Sequence, residues 1–190
     1  MPIFRADTAS DVAELLPDLS AEFHFIIADA PGGFQRTAET NLELLRHTDF
    51  ALIPITPKVG NISPLPVVEK KVQQARQTNP LLEARIIINC VDGRTTAGKN
   101  IGATIADIQN LVPDLRVMRQ TIRVDESAFE RAAKALSVVV KGPRSNGRED
   151  LDAIFAELLS DMIVSINLQD QRMPTNNTEL RDGKAAAVNE

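Results

Sequence analysis

Asp29 closes an apolar run and opens a loop of small and special residues, Phe23-His-Phe-Ile-Ile-Ala-Asp29-Ala-Pro31-Gly32-Gly33. A run of this length and richness in Ile and Phe predicts a strand over 23–28, buried on both faces. That strand delivers one carboxylate to its C-terminal end, and open α/β sheets bind ligands outside the carboxyl ends of their strands. A carboxylate beside glycines suits a Mg-nucleotide. It supplies negative charge for a hard cation and a backbone that can approach a phosphate closely. The competing reading is a strand-end Asp that caps the turn after it. Residues 1–22 contain neither a glycine nor a lysine, so a Gly-rich phosphate loop does not lie just upstream of this strand.

Two further segments have residue types suited to nucleotide chemistry. Asn89 ends the apolar run Arg85-Ile-Ile-Ile-Asn89-Cys. Its amide carries both a donor and an acceptor, which is what an adenine edge requires, and it can equally hydrogen-bond its own loop. Gly93-Arg-Thr-Thr-Ala-Gly98-Lys99-Asn100 matches the first seven positions of the phosphate-loop pattern G-x-x-x-x-G-K-[ST], between an expected strand and an expected helix. Asn100 stands where the pattern places a hydroxyl on Mg²⁺. The bland reading of this stretch is an ordinary loop and helix start.

Charge is unevenly distributed. Arg116, Arg119, Arg123, Arg131, Lys134, Lys141, Arg144 and Arg148 face only Asp125, Glu126 and Glu130 across 116–148, an excess of five positive charges in a chain of net charge −5. Such a patch attracts polyanions such as DNA. Phe129 is the segment's one aromatic, so the stacking used in single-strand binding is not offered. Solvated surface is the alternative. His24, His47 and the single Cys90 form no ligand-spaced cluster, and neither a zinc site nor an internal disulfide is expected.

These residues need a scaffold. Strand-length apolar runs recur at 23–28, 50–55, 85–91 and 115–118, without strict alternation. Helical spacing fills the gaps at 9–16 (capped by Thr8 or Ser10), 36–47, 64–78, 99–111, 126–136 and 149–166. Alternating strands and helices predict a doubly wound, mostly parallel α/β sheet. Residues 169–190 are polar and aliphatic-poor, so the expected division is an α/β domain over 1–168 and a disordered tail over 169–190. Apolar runs never reach membrane-spanning length and the N-terminus lacks signal-peptide order, so a cytoplasmic protein without membrane contact is expected.

In order along the chain, four segments resemble the ParA/MinD-type partition ATPases, a deviant phosphate-loop NTPase family. Phe25-Ile-Ile-Ala-Asp29-Ala-Pro31-Gly32-Gly33 resembles the Walker B strand and switch II. His47-Thr-Asp49-Phe-Ala-Leu-Ile-Pro54-Ile-Thr-Pro57 resembles the following strand, Ile86-Ile-Ile-Asn89 the strand whose asparagine reads adenine, and Thr121-Ile-Arg123 with Ala128-Phe129-Glu130-Arg131-Ala132 a late "IRxxxAFxxA" segment. The match covers about residues 20–166.

The resemblance implies a phosphate-loop NTPase-like fold and ATP with Mg as cofactors. Asp29 would sit by Mg²⁺ or the attacking water, Pro31, Gly32 and Gly33 in a mobile switch II, and Asn89 on the base. It implies DNA contact through the 116–148 arginines and lysines, a homodimer or ParA-like partner, a ParB-like partner protein, and a role in plasmid or chromosome partition. It also moves Gly98-Lys99 toward the base and away from the phosphates. The family's Lys-Gly-Gly-x-Gly-Lys-Thr loop, its strand and the switch I aspartates find no counterpart in the 22 residues before Phe23. An N-terminally truncated member, impaired in hydrolysis on its own, is therefore expected. The rival expectations are a non-catalytic ParA-like binding module and a permuted NTPase that uses Gly93–Lys99.

Overall fold

The computed structural model describes residues 2–30, 38–135 and 141–172, the side chains of 163–172 excepted. The described elements run α1 (Ala9–Glu22), α2 (Ala38–Arg46), β1 (Phe50–Ile55), α3 (Val59–Ile62), α4 (Leu65–Arg76), β2 (Glu83–Val91), α5 (Thr96–Lys99), α6 (Ile101–Leu111), β3 (Arg116–Arg123), α7 (Glu126–Lys134) and α8 (Asn146–Arg172). The chain divides into two units after Ile154. The first holds the sheet. The second begins within α8, where Leu158 is buried while Phe155 and Leu159 are exposed. That helix extends to Arg172, four residues into the expected tail, and 173–190 lie outside the described residues.

The strands form one parallel sheet in the order β1-β2-β3. Ala84, Ile86 and Ile88 share one face of β2 and join a single core cluster. Leu42 of α2, Val68, Val72 and Ala75 of α4, and Ile108 of α6 belong to the same cluster, so these helices cover the same side of the sheet. Their sequences explain why. Leu65, Val68, Val72 and Ala75 recur at helical spacing on α4, whose Pro66 sits in the first turn where its missing N–H costs nothing. Parallel pairing demands crossovers, and α4 and α6 supply them.

Local capping and cross-chain bonds fix the ends. Thr8 and Asp11 form a reciprocal capping box at the start of α1. This helix continues past Pro17, where the sequence expectation stopped, because Val12 and Leu19 lie two turns apart on one buried stripe. Asn79 donates from Nδ2 to the carbonyls of Leu45 (3.2 Å) and Thr48 (2.8 Å), tying the end of α2 to the turn before β2.

One expectation needs correction. Residues 25–30 join no sheet among the described residues, and Phe25 and Ile27 are 81% and 87% exposed. An all-apolar strand gains from docking only where both its faces are covered. The helices named above cover one face, and Leu52 of edge strand β1 is 44% exposed on the other. The described strands make an α/β parallel sheet wound in one direction, and the reversal that double winding requires would need a strand beyond β1. β3 extends to Arg123 rather than ending at 118, because residues 119–123 are mostly polar and none of them is buried, so the apolar run stops before the strand does.

Ile86 is fully buried at the centre of the cluster. Ile86→Ala should cost about 2–5 kcal/mol in a urea melt, against about 1 kcal/mol for Thr8→Ala at the α1 cap.

Candidate functional site

The carboxyl ends of β2 and β3 form the sheet edge on which the candidate residues were expected to meet. Asn89 lies there, half-buried. Its Oδ1 accepts the N–H of Cys90 at 2.7 Å, so one acceptor position is spent on its own loop. Cys90 has φ 56°, a left-handed conformation costing a non-glycine residue roughly 1–2 kcal/mol. The cause is a bulge. Ile88 pairs with Thr121 and Val91 with Arg123, so β2 takes one residue more than β3 to cover the same length. The bulge turns Cys90 outward and Val91 into the core. Val91 then accepts the N–H of Val124 at 3.0 Å, which holds the end of β3 beside Asn89.

The loop after β2 is closed upon itself. Asp92 accepts Arg94 N–H at 2.9 Å and the Arg94 guanidinium at 2.8–3.2 Å. The Arg94 side chain, then its backbone N–H, hold the Asp92 carboxyl down to about 2. Thr95 donates its N–H and hydroxyl to the Asp92 carbonyl, and its Oγ1 accepts the N–H of Gly98 at 3.1 Å. Lys99 and Asn100 donate to Thr95 and Thr96. A phosphate cradle needs free, convergent N–H groups. Here the N–H groups of Arg94, Thr95, Gly98, Lys99 and Asn100 are all bonded within the loop and its short helix, that of Arg94 to the Asp92 carboxylate and the others to the Asp92 carbonyl, the Thr95 hydroxyl and the Thr95 and Thr96 carbonyls. Gly93–Lys99 therefore has the spacing of a phosphate loop without its geometry.

Glycine at 98 has a steric reason. A Cβ there would lie 2.0 Å from the Asp92 carbonyl oxygen. Asp92 and Thr95 went unnoticed in the sequence, although Asp-x-x-Thr before a helix is a readable turn-and-cap signal.

The basic segment is largely occupied with its neighbours. Arg123 grips Asp150 with Nε at 3.0 Å and Nη2 at 2.7 Å, while Asp150 also accepts the Arg123 N–H. Arg144 pairs with Glu149 at 2.7 Å, Arg148 approaches Asp152 at 3.8 Å, and Lys134 approaches Glu130 at 3.5 Å. Extending the segment by four residues to Asp152 adds three acids and lowers the positive excess from five to two. Asp125 caps α7 through the Ala128 N–H and accepts the N–H of Gly147 at 2.9 Å. The Gly147 bond is the main reason its carboxyl titrates below the ordinary range. Arg123, Asp125 and Asp150 thus clasp β3, α7 and α8 together. Arg116, Arg119, Arg131, Lys134 and Lys141 remain on the exposed surface.

Asp29 is exposed, in the segment that joins no sheet, so no strand carries it to the edge where Asn89 lies. Pro31, Gly32 and Gly33 lie outside the described residues. Mg²⁺ bound with a nucleotide takes one or two carboxylates plus phosphate oxygens. A single acceptor-only carboxylate such as Asp29 fits that donor set, whereas an all-protein cage finds no three-ligand cluster among the described residues.

Comparison with known proteins adds one similarity. The chain is 26% identical over 166 residues to the maintenance of carboxysome distribution protein A of Halothiobacillus neapolitanus (strain ATCC 23641 / c2), covering 87% of this chain and 71% of that protein. This similarity supports a ParA/MinD-like relationship. No family model and no solved structure matches. Among the described residues no helix is long and apolar enough to cross a membrane.

Gly98→Ala should force the Asp92 and Gly98 backbones apart and cost about 1–3 kcal/mol, read as a lowered urea midpoint with an unchanged slope. The Asp92 carboxyl should titrate by NMR near pH 2, and measurably higher in Arg94→Gln, which removes the guanidinium and keeps the backbone N–H bond. Because its folded-state value is depressed, the contribution of this contact to stability is complete above 3.8 and fades as pH falls toward 2.

Proposed function

We propose that this protein is a ParA-like positioning protein that uses Mg-ATP to distribute or partition a cellular cargo. The observation that carries the reading is the similarity to a distribution protein along 87% of the chain. The ordered series of partition-type motifs supports it, as does a parallel sheet with Asn89 at its carboxyl edge. In this reading Asp29 holds Mg²⁺ or its water, Pro31, Gly32 and Gly33 form the adjoining switch, and Asn89 reads the base. Homodimerisation and a ParB-like partner belong to the same proposal.

DNA supplies the track, and its phosphates meet Arg131, Lys134 and Lys141 rather than Arg123, whose fork is engaged by Asp150. The self-satisfied loop at Gly93–Lys99 argues against the permuted alternative.

Calorimetric titration with Mg-ATP tests the nucleotide reading, on the chain itself and on a version with a grafted upstream phosphate loop. Binding is expected in at least one, weakened about tenfold or more by Asp29→Ala and by Asn89→Ala, a loss of roughly 1.4 kcal/mol. Binding in neither overturns the reading. For DNA, Arg131→Ala with Lys134→Ala should lower affinity and reduce the salt slope by about two. Arg123→Gln should act instead through stability, as a lowered melting temperature.

A further inference from the structure

The start of α8 carries a chemically labile pair, Asn146-Gly147. Asparagine followed by glycine is prone to deamidation, because no side chain on the second residue hinders approach of its backbone nitrogen to the asparagine Cγ. Glycine is required at 147 for a reason unrelated to that chemistry. A Cβ there would lie 3.2 Å from Phe129 Cε2 and 3.4 Å from Asp125 Cβ, where α8 begins against α7. Gly147 is buried accordingly, whereas Asn146 beside it is exposed to water. Close packing therefore forces a labile dipeptide onto the surface.

The attacking nitrogen is occupied. Gly147 donates its N–H to Asp125 Oδ2 at 2.9 Å, and Asp125 Oδ1 accepts the Ala128 N–H at 3.2 Å, so one carboxylate caps α7 and α8 together. Ser145 Oγ accepts the Arg148 N–H at 3.2 Å and its carbonyl the Glu149 N–H at 3.0 Å, which hold Asn146 in the first helical turn. Both arrangements oppose reaction. A helical backbone at Asn146 keeps its Cγ and the Gly147 nitrogen out of ring-closing geometry. The nitrogen also reacts only after losing its proton, and a carboxylate in contact disfavours the anion that results.

We propose that Asn146 is a deamidation site gated by the Asp125 clasp, silent while α7 and α8 are joined and reactive once they part. On opening, the deprotonated Gly147 nitrogen attacks Asn146 Cγ. The new N–C bond closes a succinimide ring, and the side-chain nitrogen leaves as ammonia. Solvent water then adds to one of the two ring carbonyls and breaks its bond to the ring nitrogen. Attack at one carbonyl gives aspartate at this position, and attack at the other gives isoaspartate, with no change of oxidation state. The isoaspartyl form adds a methylene to the main chain where Gly147 has least room, so the clasp does not reseat. Deamidation thereby turns a transient opening into a lasting release of the start of α8. The inference is independent of the nucleotide reading.

Peptide mapping by mass spectrometry follows deamidation at Asn146 in the full chain at mildly alkaline pH, beside a synthetic peptide of residues 141–152. The folded chain should react at least about tenfold more slowly than the peptide, and Asp125→Ala at least about tenfold faster than the unsubstituted chain, the scale of one hydrogen bond to a charged acceptor. Urea below the unfolding midpoint gives a second reading that needs no variant to fold. Relative to the peptide, the rate should rise with urea on a shallower slope than global unfolding, the mark of a local opening. In the separated isoaspartyl chain the Gly147 amide should exchange with deuterium faster than in unreacted chain. A folded chain that reacts at the peptide's rate overturns the proposal. So does a folded Asp125→Ala protein no faster than the unsubstituted chain, or a urea slope equal to that of global unfolding. An isoaspartyl chain whose Gly147 amide stays protected overturns the lasting release.

Discussion

The two-sided pairing of β2 is the constraint on which the first unit depends. β2 alone among the described strands is hydrogen-bonded along both edges, and its core-facing Ala84, Ile86 and Ile88 are inaccessible to water. The opposite face is nearly as closed, with Arg85 and Ile87 buried. Arg85 is tolerated there because Glu83 meets its guanidinium at 2.7 Å and the Phe50 ring lies 5.6 Å beneath it, which offset the cost of burying a cation. A strand held this tightly fixes whatever leaves its C-terminal end. The bulge at Cys90 is the release. It spends backbone strain to return Val91 to the core, and so turns the following loop outward at a fixed point.

Much of this fold was legible because burial leaves a pattern. β1 matched its apolar run at both ends, and β2 began only two residues earlier than its run suggested. The helices over the core displayed their stripes openly. What stayed hidden were features with no local signature. Pairing is one: a run such as Phe23–Ala28 states that it is apolar on both faces, not that a neighbour is present to cover them. Register is another, since the shifts between β2 and β3 arise from two strands at once. The Pro17 turn in α1 is a third, where tertiary burial of Leu19 outweighs the roughly 3 kcal/mol that proline costs a helix interior.

At the candidate site the division runs along the same line. Residue types were readable, and their partners were not. Asn89 was singled out for an amide that can bond in two directions, and the structure assigns one of these to Cys90. Arg123 counted as surface charge until Asp150, 27 positions away, was seen to hold its fork. The +5 excess over 116–148 is real as composition, but its acids begin at the next residue, Glu149. Patch arguments made along a sequence thus depend on where the window closes. Charges paired across a fold boundary attract a polyanion less than their number suggests.

The loop at Gly93–Lys99 shows how spacing and function separate. A phosphate loop and this loop share glycines six residues apart from a lysine or next to it, because both bring two backbone segments into close approach. In a phosphate loop that approach leaves N–H groups pointing at an empty centre. Here Asp92 takes the Arg94 N–H on its carboxylate and the Thr95 N–H and hydroxyl on its carbonyl, while Thr95 and Thr96 take those of Gly98, Lys99 and Asn100. Replacing an external anion by an internal carboxylate keeps the turn stable without ligand, and it removes the site. The identity of one residue, an acid at the mouth of the turn, separates a binding loop from a structural one. That residue stands just outside the motif's own boundaries.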